Sequence, residues 1–151
     1  VRSRGLGDVY KRQQKNSIDF TIFLEDDFSI SINRGKIVQI IDNLISNSEY
    51  WLIKLKGNDP NCKPSITIKI ESPWIYFYDN GYGISPAIEN MLFEPFVTTK
   101  PKGEGRGLGL FIIQQLLDSS KCTIALEPFR NEHGRKYIFA INFSNIINEY
   151  K

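Results

Sequence analysis

Hydrophobic residues alternate with polar or small ones at Ile18, Phe20, Ile22 and Leu24, the period of two that sends every second side chain to one face of a strand. Phe28, Ile30 and Ile32 repeat the alternation after the acidic turn Glu25-Asp26-Asp27, so a pair of strands is expected here. Asn33 offers a side-chain acceptor suited to capping a helix. From residue 34 to about 56 the period changes, and Ile37, Ile40, Ile41, Leu44, Ile45, Trp51, Leu52 and Leu55 recur at helical spacing. Gly57-Asn58-Asp59-Pro60-Asn61 breaks that helix. Ile66, Ile68 and Ile70 alternate as a strand. After Ser72-Pro73, Trp74 to Tyr78 reads as a second strand, mixed enough to be mostly buried. Ser85-Pro86 looks like an N-cap with proline at the first helical position, opening a short helix to about Leu92. Residues 95–106 form a loop rich in Gly, Thr, Lys and Pro, and Leu108 to Leu117 is helical. Residues 122–127 and 137–143 are β-rich and joined by a polar hairpin at Asn131 to Gly134. This order predicts an α/β two-layer sandwich: a mixed β-sheet with about three helices packed on one face.

Length and composition narrow the class without naming a chemistry. A chain of 151 residues suits one domain with a real core, and 41% hydrophobic with 24% charged residues is ordinary for a globular protein. No apolar run approaches the roughly 18 residues that span a bilayer, and no stretch has a signal-peptide layout, so no membrane contact and a cytoplasmic setting are expected. Cys62, Cys122 and His133 provide no spaced metal cluster; each cysteine is read as a buried free thiol and His133 as an exposed loop residue. Residues 1–13, VRSRGLGDVYKRQ, show neither period and resemble translated adaptor sequence. They are read as non-native or disordered, with the domain over 14–151 and part of the protein expected upstream. They also carry Arg2, Arg4, Lys11 and Arg12 against Asp8; with that +3 set aside, the net charge of +2 becomes −1, so no nucleic-acid footprint is expected.

Three features carry chemistry. Gln39, Asn43, Asn47, Tyr50 and Lys54 form one polar stripe down the long helix. An amide oxygen is a suitable hard ligand for Mg²⁺, although a solvated helix face would have the same pattern. Asp79-Asn80-Gly81-Tyr82-Gly83 places a carboxylate at a strand end, able to accept from an exocyclic amine such as that of adenine. Gly81 and Gly83 then permit positive φ and a close ligand, and a plain strand-ending turn would use the same residues. Gly103-Glu104-Gly105-Arg106-Gly107-Leu108-Gly109-Leu110 runs straight into an apolar helix, an arrangement that cradles anions, with Lys100 and Arg106 adding charge; a flexible linker is the other reading. There is no G-x-x-x-x-G-K-[ST], and Leu108 and Leu110 stand where the third glycine of G-x-G-x-x-G would fall, so neither a P-loop nor a dinucleotide fingerprint is present.

Taken in order, four strings resemble the GHKL superfamily of gyrase, heat-shock chaperone, histidine kinase and MutL ATP-binding domains. They are Asn43-Leu44-Ile45-Ser46-Asn47-Ser48; Asp79-x-Gly81-x-Gly83; Leu92-Phe93-Glu94-Pro95-Phe96-Val97-Thr98-Thr99-Lys100; and Gly105-x-Gly107-Leu108-Gly109-Leu110. The third is similar to the phenylalanine box of histidine kinases. The resemblance implies ATP and Mg²⁺ as cofactors, with Asn47 as the metal ligand and Asp79 accepting from adenine beside Gly81, Gly83 and Ile84. It implies a lid over residues 95–106, with Thr98, Thr99, Lys100 and Arg106 upon it, and phosphate-facing amides at Gly105, Gly107, Leu108 and Gly109. Tyr50 and Lys54 are further candidates for nucleotide contact, and Asn43, Asn47 and Lys100 are the candidate catalytic residues.

Asn43 separates branches of the superfamily. ATP-hydrolysing relatives usually hold a glutamate general base there, and an amide cannot take a proton from water. Asparagine matches the kinases, which transfer the γ-phosphoryl to a histidine mostly by positioning and charge neutralisation. One departure stands out: Tyr50 occupies a position where histidine kinases often carry a basic residue, and Lys54 is one turn on. The expected partners are an upstream dimerisation and phosphoacceptor domain or a response-regulator-type protein, with dimerisation only through segments outside this chain. The alternatives are a nucleotide-gated binding module and a slow ATPase.

Overall fold

The computed structural model describes residues 18–105 and 107–148. Its elements are β1 (Asp19–Asp26), α1 (Arg34–Asn58), β2 (Ser65–Glu71), β3 (Trp74–Asp79), a 3₁₀ turn (Pro86–Met91), α2 (Gly109–Asp118), β4 (Thr123–Leu126), β5 (Ile138–Asn142) and a last 3₁₀ turn (Ser144–Ile146). The expectation about residues 1–13 lies outside the described residues.

The strands form one mixed sheet in the order β1-β2-β3-β5-β4. β1 and β2 run parallel, which requires a long crossover, and α1 supplies it. The other neighbouring pairs are antiparallel. α1 starts where Asn33 Oδ1 accepts from the Gly35 N–H at 2.7 Å, the cap anticipated from sequence. Its Ile37, Ile40, Ile41, Leu44, Ile45 and Leu52 are buried against Ile66, Ile68, Phe77 and Ile141 of the sheet and Ile113 and Leu117 of α2. Burying side chains of this size is worth about 1.5–3 kcal/mol each, enough to fix which sheet face the helices cover. The opposite face carries Trp74 stacked on Tyr76 and Tyr78 edge-on to Tyr137.

Four expectations are corrected. Residues 28–32 form no strand of the sheet. Ile30 makes a single bridge to Ile147, and Ser31 N–H donates to Ile146 O at 2.9 Å. The alternation is real because Ile30 enters the core and Phe28 packs on Phe143, but the backbone pairs with the C-terminal segment. The Pro86 helix is 3₁₀, and Ser85 makes no capping hydrogen bond. In β3 only Ile75 and Phe77 are buried, since one face of that strand is open. Cys122 is buried but Cys62 is only half-buried. His133 is exposed, as expected.

Candidate functional site

Two adjoining cavities lie between α1, the end of β3 and the segment that leads into α2. The first, about 330 Å³, is bounded by Asn47, Ser48 and Trp51 of α1, by Asp79, Gly81, Gly83 and Ile84 after β3, and by Thr98, Thr99 and Lys100. The second, about 250 Å³, is bounded by Asn43 and Asn47, by Thr98 and Lys100, and by Gly105, Gly107, Leu108 and Gly109. Asn47, Thr98 and Lys100 belong to both walls, so the cavities form one cleft with two ends.

Asp79 anchors the first end. Ser48 Oγ donates to its Oδ2 at 2.6 Å, and the Gly81 N–H donates to its Oδ1 at 2.8 Å. The cavity leaves part of the residue open, yet protein encloses the carboxylate closely. Lost hydration pushes its pKa above the ordinary carboxylate range, and the bonds from Ser48 and Gly81 pull partly against that. Asn80 clips the strand end in place: its Oδ1 accepts from Ser65 N–H and its Nδ2 donates to Lys63 O, both at 2.8 Å. Gly81 does not have the positive φ expected for it. A glycine is needed there for room, because a Cβ would stand 3.0 Å from Asp79 Oδ1. Gly83 does have positive φ, at 91°, and a Cβ on it would come within 2.8 Å of Arg135 and Asn131.

At the second end, Gly107 has a φ of 69°, and a Cβ there would lie 2.5 Å from the backbone of Phe96 and Val97. The Phe96 N–H donates to Gly107 O at 2.9 Å, which ties the phenylalanine-rich string to the glycine-rich one. Asn43 Nδ2 reaches Gly109 O at 3.4 Å, a long bond joining α1 to the start of α2. Leu108, the residue before α2, provides no side-chain cap, so the first N–H groups of the helix are left for water or an anion.

Tyr50 and Lys54 line neither cavity. They meet the site through the loop over residues 95–105: Lys54 Nζ is 3.5 Å from Glu104 Oε1, and Lys100 Nζ lies over the Tyr50 ring. Arg106 falls outside the described residues. The sequence reading missed Ser48, whose signal was a hydroxyl on an otherwise apolar helix face directly after Asn47. It also took Trp51 for core alone, and Trp51 borders the cleft.

The donor set suits a metal carried in with phosphates. The described residues hold no group of three or more His, Cys, Asp or Glu able to bind an ion by themselves. Mg²⁺ often takes one or two protein oxygens and completes its shell with phosphate and water. Asn47 borders both ends of the cleft, and its amide oxygen is a ligand of the kind Mg²⁺ accepts.

Comparison with known proteins identifies the family. The family described as histidine kinase-, DNA gyrase B-, and HSP90-like ATPase matches residues 32–145. The sensor protein ChvG of Rhizobium meliloti is 30% identical over 86% of this chain and 25% of its own length. The sensor protein kinase PilS of Pseudomonas aeruginosa is 29% identical over 91% of this chain and 26% of its own length. The chain thus spans about a quarter of these curated relatives. Among solved structures, a mycobacterial sensor histidine kinase, MprB, is similar in fold, with a TM-score of 0.71 at 16% identity over 99% of this chain and 97% of that one. The nucleotide-free catalytic domain of the histidine kinase ThkA gives 0.70 at 24% identity, covering 93% and 90% of the two chains. No described helix is long and apolar enough to cross a membrane. With the family profile covering both ends of the cleft, the chain belongs to the histidine kinase-, DNA gyrase B-, and HSP90-like ATPase family, as an ATP-binding domain of the kind that sensor histidine kinases carry.

Proposed function

We propose that this chain binds Mg-ATP across the two-ended cleft and donates the γ-phosphoryl to a histidine on a domain outside the chain. The observation that carries the reading is the shared wall: Asn47, Thr98 and Lys100 border both the cavity at Asp79 and the cavity at the glycine-rich turn. A base held at one end thereby has its phosphates directed to the other.

In this reading Asp79 accepts from the adenine amino group, and Ser48 and Gly81 hold its two oxygens in position. Asn47 holds the metal, which supplies charge neutralisation on the phosphates. Lys100 and the N-terminus of α2 face the phosphate chain. In the transfer the bond from the γ-phosphorus to the bridging oxygen breaks, a bond to an imidazole nitrogen forms, and ADP leaves. The only side chain at position 43 is an amide, which cannot deprotonate water, so transfer to a positioned nucleophile is favoured over hydrolysis. Domain limits of 14–151 and partners beyond the chain, whether a dimerising phosphoacceptor domain or a response-regulator-type protein, belong to the same proposal.

The deciding experiment is calorimetric titration with a non-hydrolysable ATP analogue, with and without Mg²⁺, on the wild type and on Asp79→Asn. Asparagine can keep both contacts, accepting from Gly81 and donating to Ser48, so the variant should fold. Mg²⁺-dependent binding that the substitution removes is the expected result. A folded wild type that takes up no nucleotide would overturn the reading. A nucleotide-gated module without transfer is the second reading, favoured by the Lys54–Glu104 pair that ties the lid to α1. It would win if the analogue changed amide exchange in residues 95–105 while the longer protein formed no phosphohistidine.

A further inference from the structure

Lys100 is the only cationic side chain, among the described residues, that borders the phosphate end of the cleft, and it borders the base end too. Its position is determined by what lies on either side. The ammonium stands 4.4 Å from the centroid of the Tyr50 ring. The aliphatic stem runs along Gly105, where a Cβ would come within 2.5 Å of Lys100 Cδ. Its N–H donates to Thr98 Oγ1 at 3.0 Å. The lysine is therefore held between an aromatic face on α1 and a glycine on the lid, and only glycine leaves room for it.

The ring is the active part of that seat. The face of an aromatic ring is electron-rich and attracts an ammonium, and the buried phenol oxygen makes no hydrogen bond of good geometry among the described residues. Trp51 meets Tyr50 edge-on, with centroids 5.0 Å apart and planes at 89°, which fixes the ring's orientation. Lys54 Nζ approaches the same ring at 5.1 Å, and the nearby Tyr50 hydroxyl, ahead of Glu104, raises its pKa. Two ammonium groups thus share one ring, and the one with no carboxylate partner among the described residues is Lys100. Burial lowers its pKa, so an arriving anion finds a cation already partly stripped of water.

We propose that Tyr50 is a positioning residue for recognition of a nucleoside polyphosphate: its ring seats Lys100 at the junction of the two cavities, where the lysine meets the phosphate chain. The inference rests on the nucleotide reading above. It assigns to an uncharged aromatic residue, acting through the lid, the work that a basic side chain at position 50 would do directly. Tyr50 then contributes to ligands with several phosphates and not to the base.

The test is a set of affinities, followed by Trp51 fluorescence and by calorimetry on the whole chain. ATP, ADP and adenosine are titrated against wild type, Tyr50→Leu, Tyr50→Phe, Lys100→Met and the Tyr50→Leu/Lys100→Met double variant. Tyr50→Leu is expected to weaken ATP and ADP by about three- to tenfold, the range of a partly desolvated cation–π contact, and to leave adenosine unchanged. Tyr50→Phe keeps the ring and should restore most of that loss. In the Lys100→Met background Tyr50→Leu should cost nothing more. An equal loss for adenosine and ATP, or a Tyr50→Leu effect that persists without the lysine, would mean packing alone and overturn the proposal. Asp79-dependent binding with no coupling between Tyr50 and Lys100 overturns this inference and leaves the nucleotide reading standing. A folded chain that binds none of the three ligands overturns both.

Discussion

The two ends of the cleft are built by opposite means. At the Asp79 end the carboxylate proposed to meet the base is held by its own surroundings: Ser48 and Gly81 hold both oxygens, and Asn80 clips the strand end to the start of β2. At the glycine-rich end the charge comes from a lysine seated on a ring, the lid that carries it lies largely exposed, and the ion pair holding that lid is a surface one. A base offers few groups and has to be recognised by a rigid, desolvated acceptor. A polyphosphate offers so much charge that several loosely held donors suffice.

The sharpest way to break this contrast is at Asp79. Asp79→Asn exchanges a buried charged acceptor for an amide with one acceptor already spoken for by Gly81. The adenine amine then loses a bond worth about 2–3 kcal/mol, or roughly 30- to 150-fold in affinity. Calorimetry should show that loss with the melting temperature preserved or raised. The rise follows from the raised pKa: a buried carboxyl that prefers its proton makes ionisation at neutral pH unfavourable to folding. As pH falls through that raised value the cost to folding is relieved, while nucleotide binding, which needs the ionised acceptor, is lost over the same interval. Affinity and stability should therefore move in opposite directions with acid. Parallel movement would exclude Asp79 as the group responsible.

At the other end the largest effect is expected from Gly107→Ala. The residue sits at a φ of 69°, and its new Cβ would press on the Phe96–Val97 backbone at 2.5 Å. Strain of this kind costs about 1–3 kcal/mol. It should lower the urea midpoint and weaken ATP far more than adenosine, because it distorts only the phosphate end. Equal weakening of both ligands would show that the ends are not separable.

The same contrast explains what could be read from the sequence. The helical spacing of Ile37, Ile40, Ile41, Leu44 and Ile45, the cap at Asn33 and the β2–β3 pair were legible because each depends on near neighbours in the chain. The residues that border the two cavities fall in motifs spread over residues 43–110, and they could be grouped only because the motifs themselves are ordered and distinctive. What stayed hidden depends on distant partners. Residues 28–32 alternate like a strand, yet their backbone pairs with residues near 147. Gly81 is needed for room beside its neighbour's carboxylate, a demand that no local pattern distinguishes from positive φ. The seat that Tyr50 makes for Lys100 joins residues on α1 and the lid whose contact cannot be read from spacing.

Ser48→Ala should have an intermediate effect. It removes the donor on Asp79 Oδ2 and leaves a buried acceptor oxygen unpaired, at a cost of about 1–2 kcal/mol at neutral pH. The carboxyl's pKa should rise further, moving the acid loss of nucleotide binding to higher pH. In the Asp79→Asn background the same change leaves an amide N–H unpaired and should cost about as much, but it should no longer move the acid loss of nucleotide binding. An acid loss that stays at the wild-type pH in Ser48→Ala would show that Ser48 packs without tuning Asp79.

The smallest effect belongs to the tie between lid and helix. Lys54 Nζ and Glu104 Oε1 stand 3.5 Å apart, with side chains 43% and 44% exposed, so water and salt screen the pair heavily. Glu104→Gln should therefore leave the melting temperature essentially unchanged. Its informative consequence concerns the ring that Lys54 shares with Lys100. Without the glutamate, Lys54 loses its balancing charge, and repulsion between the two ammonium groups over Tyr50 increases. ATP affinity at low salt should fall slightly and recover as salt is added, against the general weakening that salt imposes on phosphate binding. A wild-type salt dependence in Glu104→Gln would show that the ring holds Lys100 independently of Lys54, and would reduce the phosphate-end device to Tyr50, Lys100 and Gly105 alone.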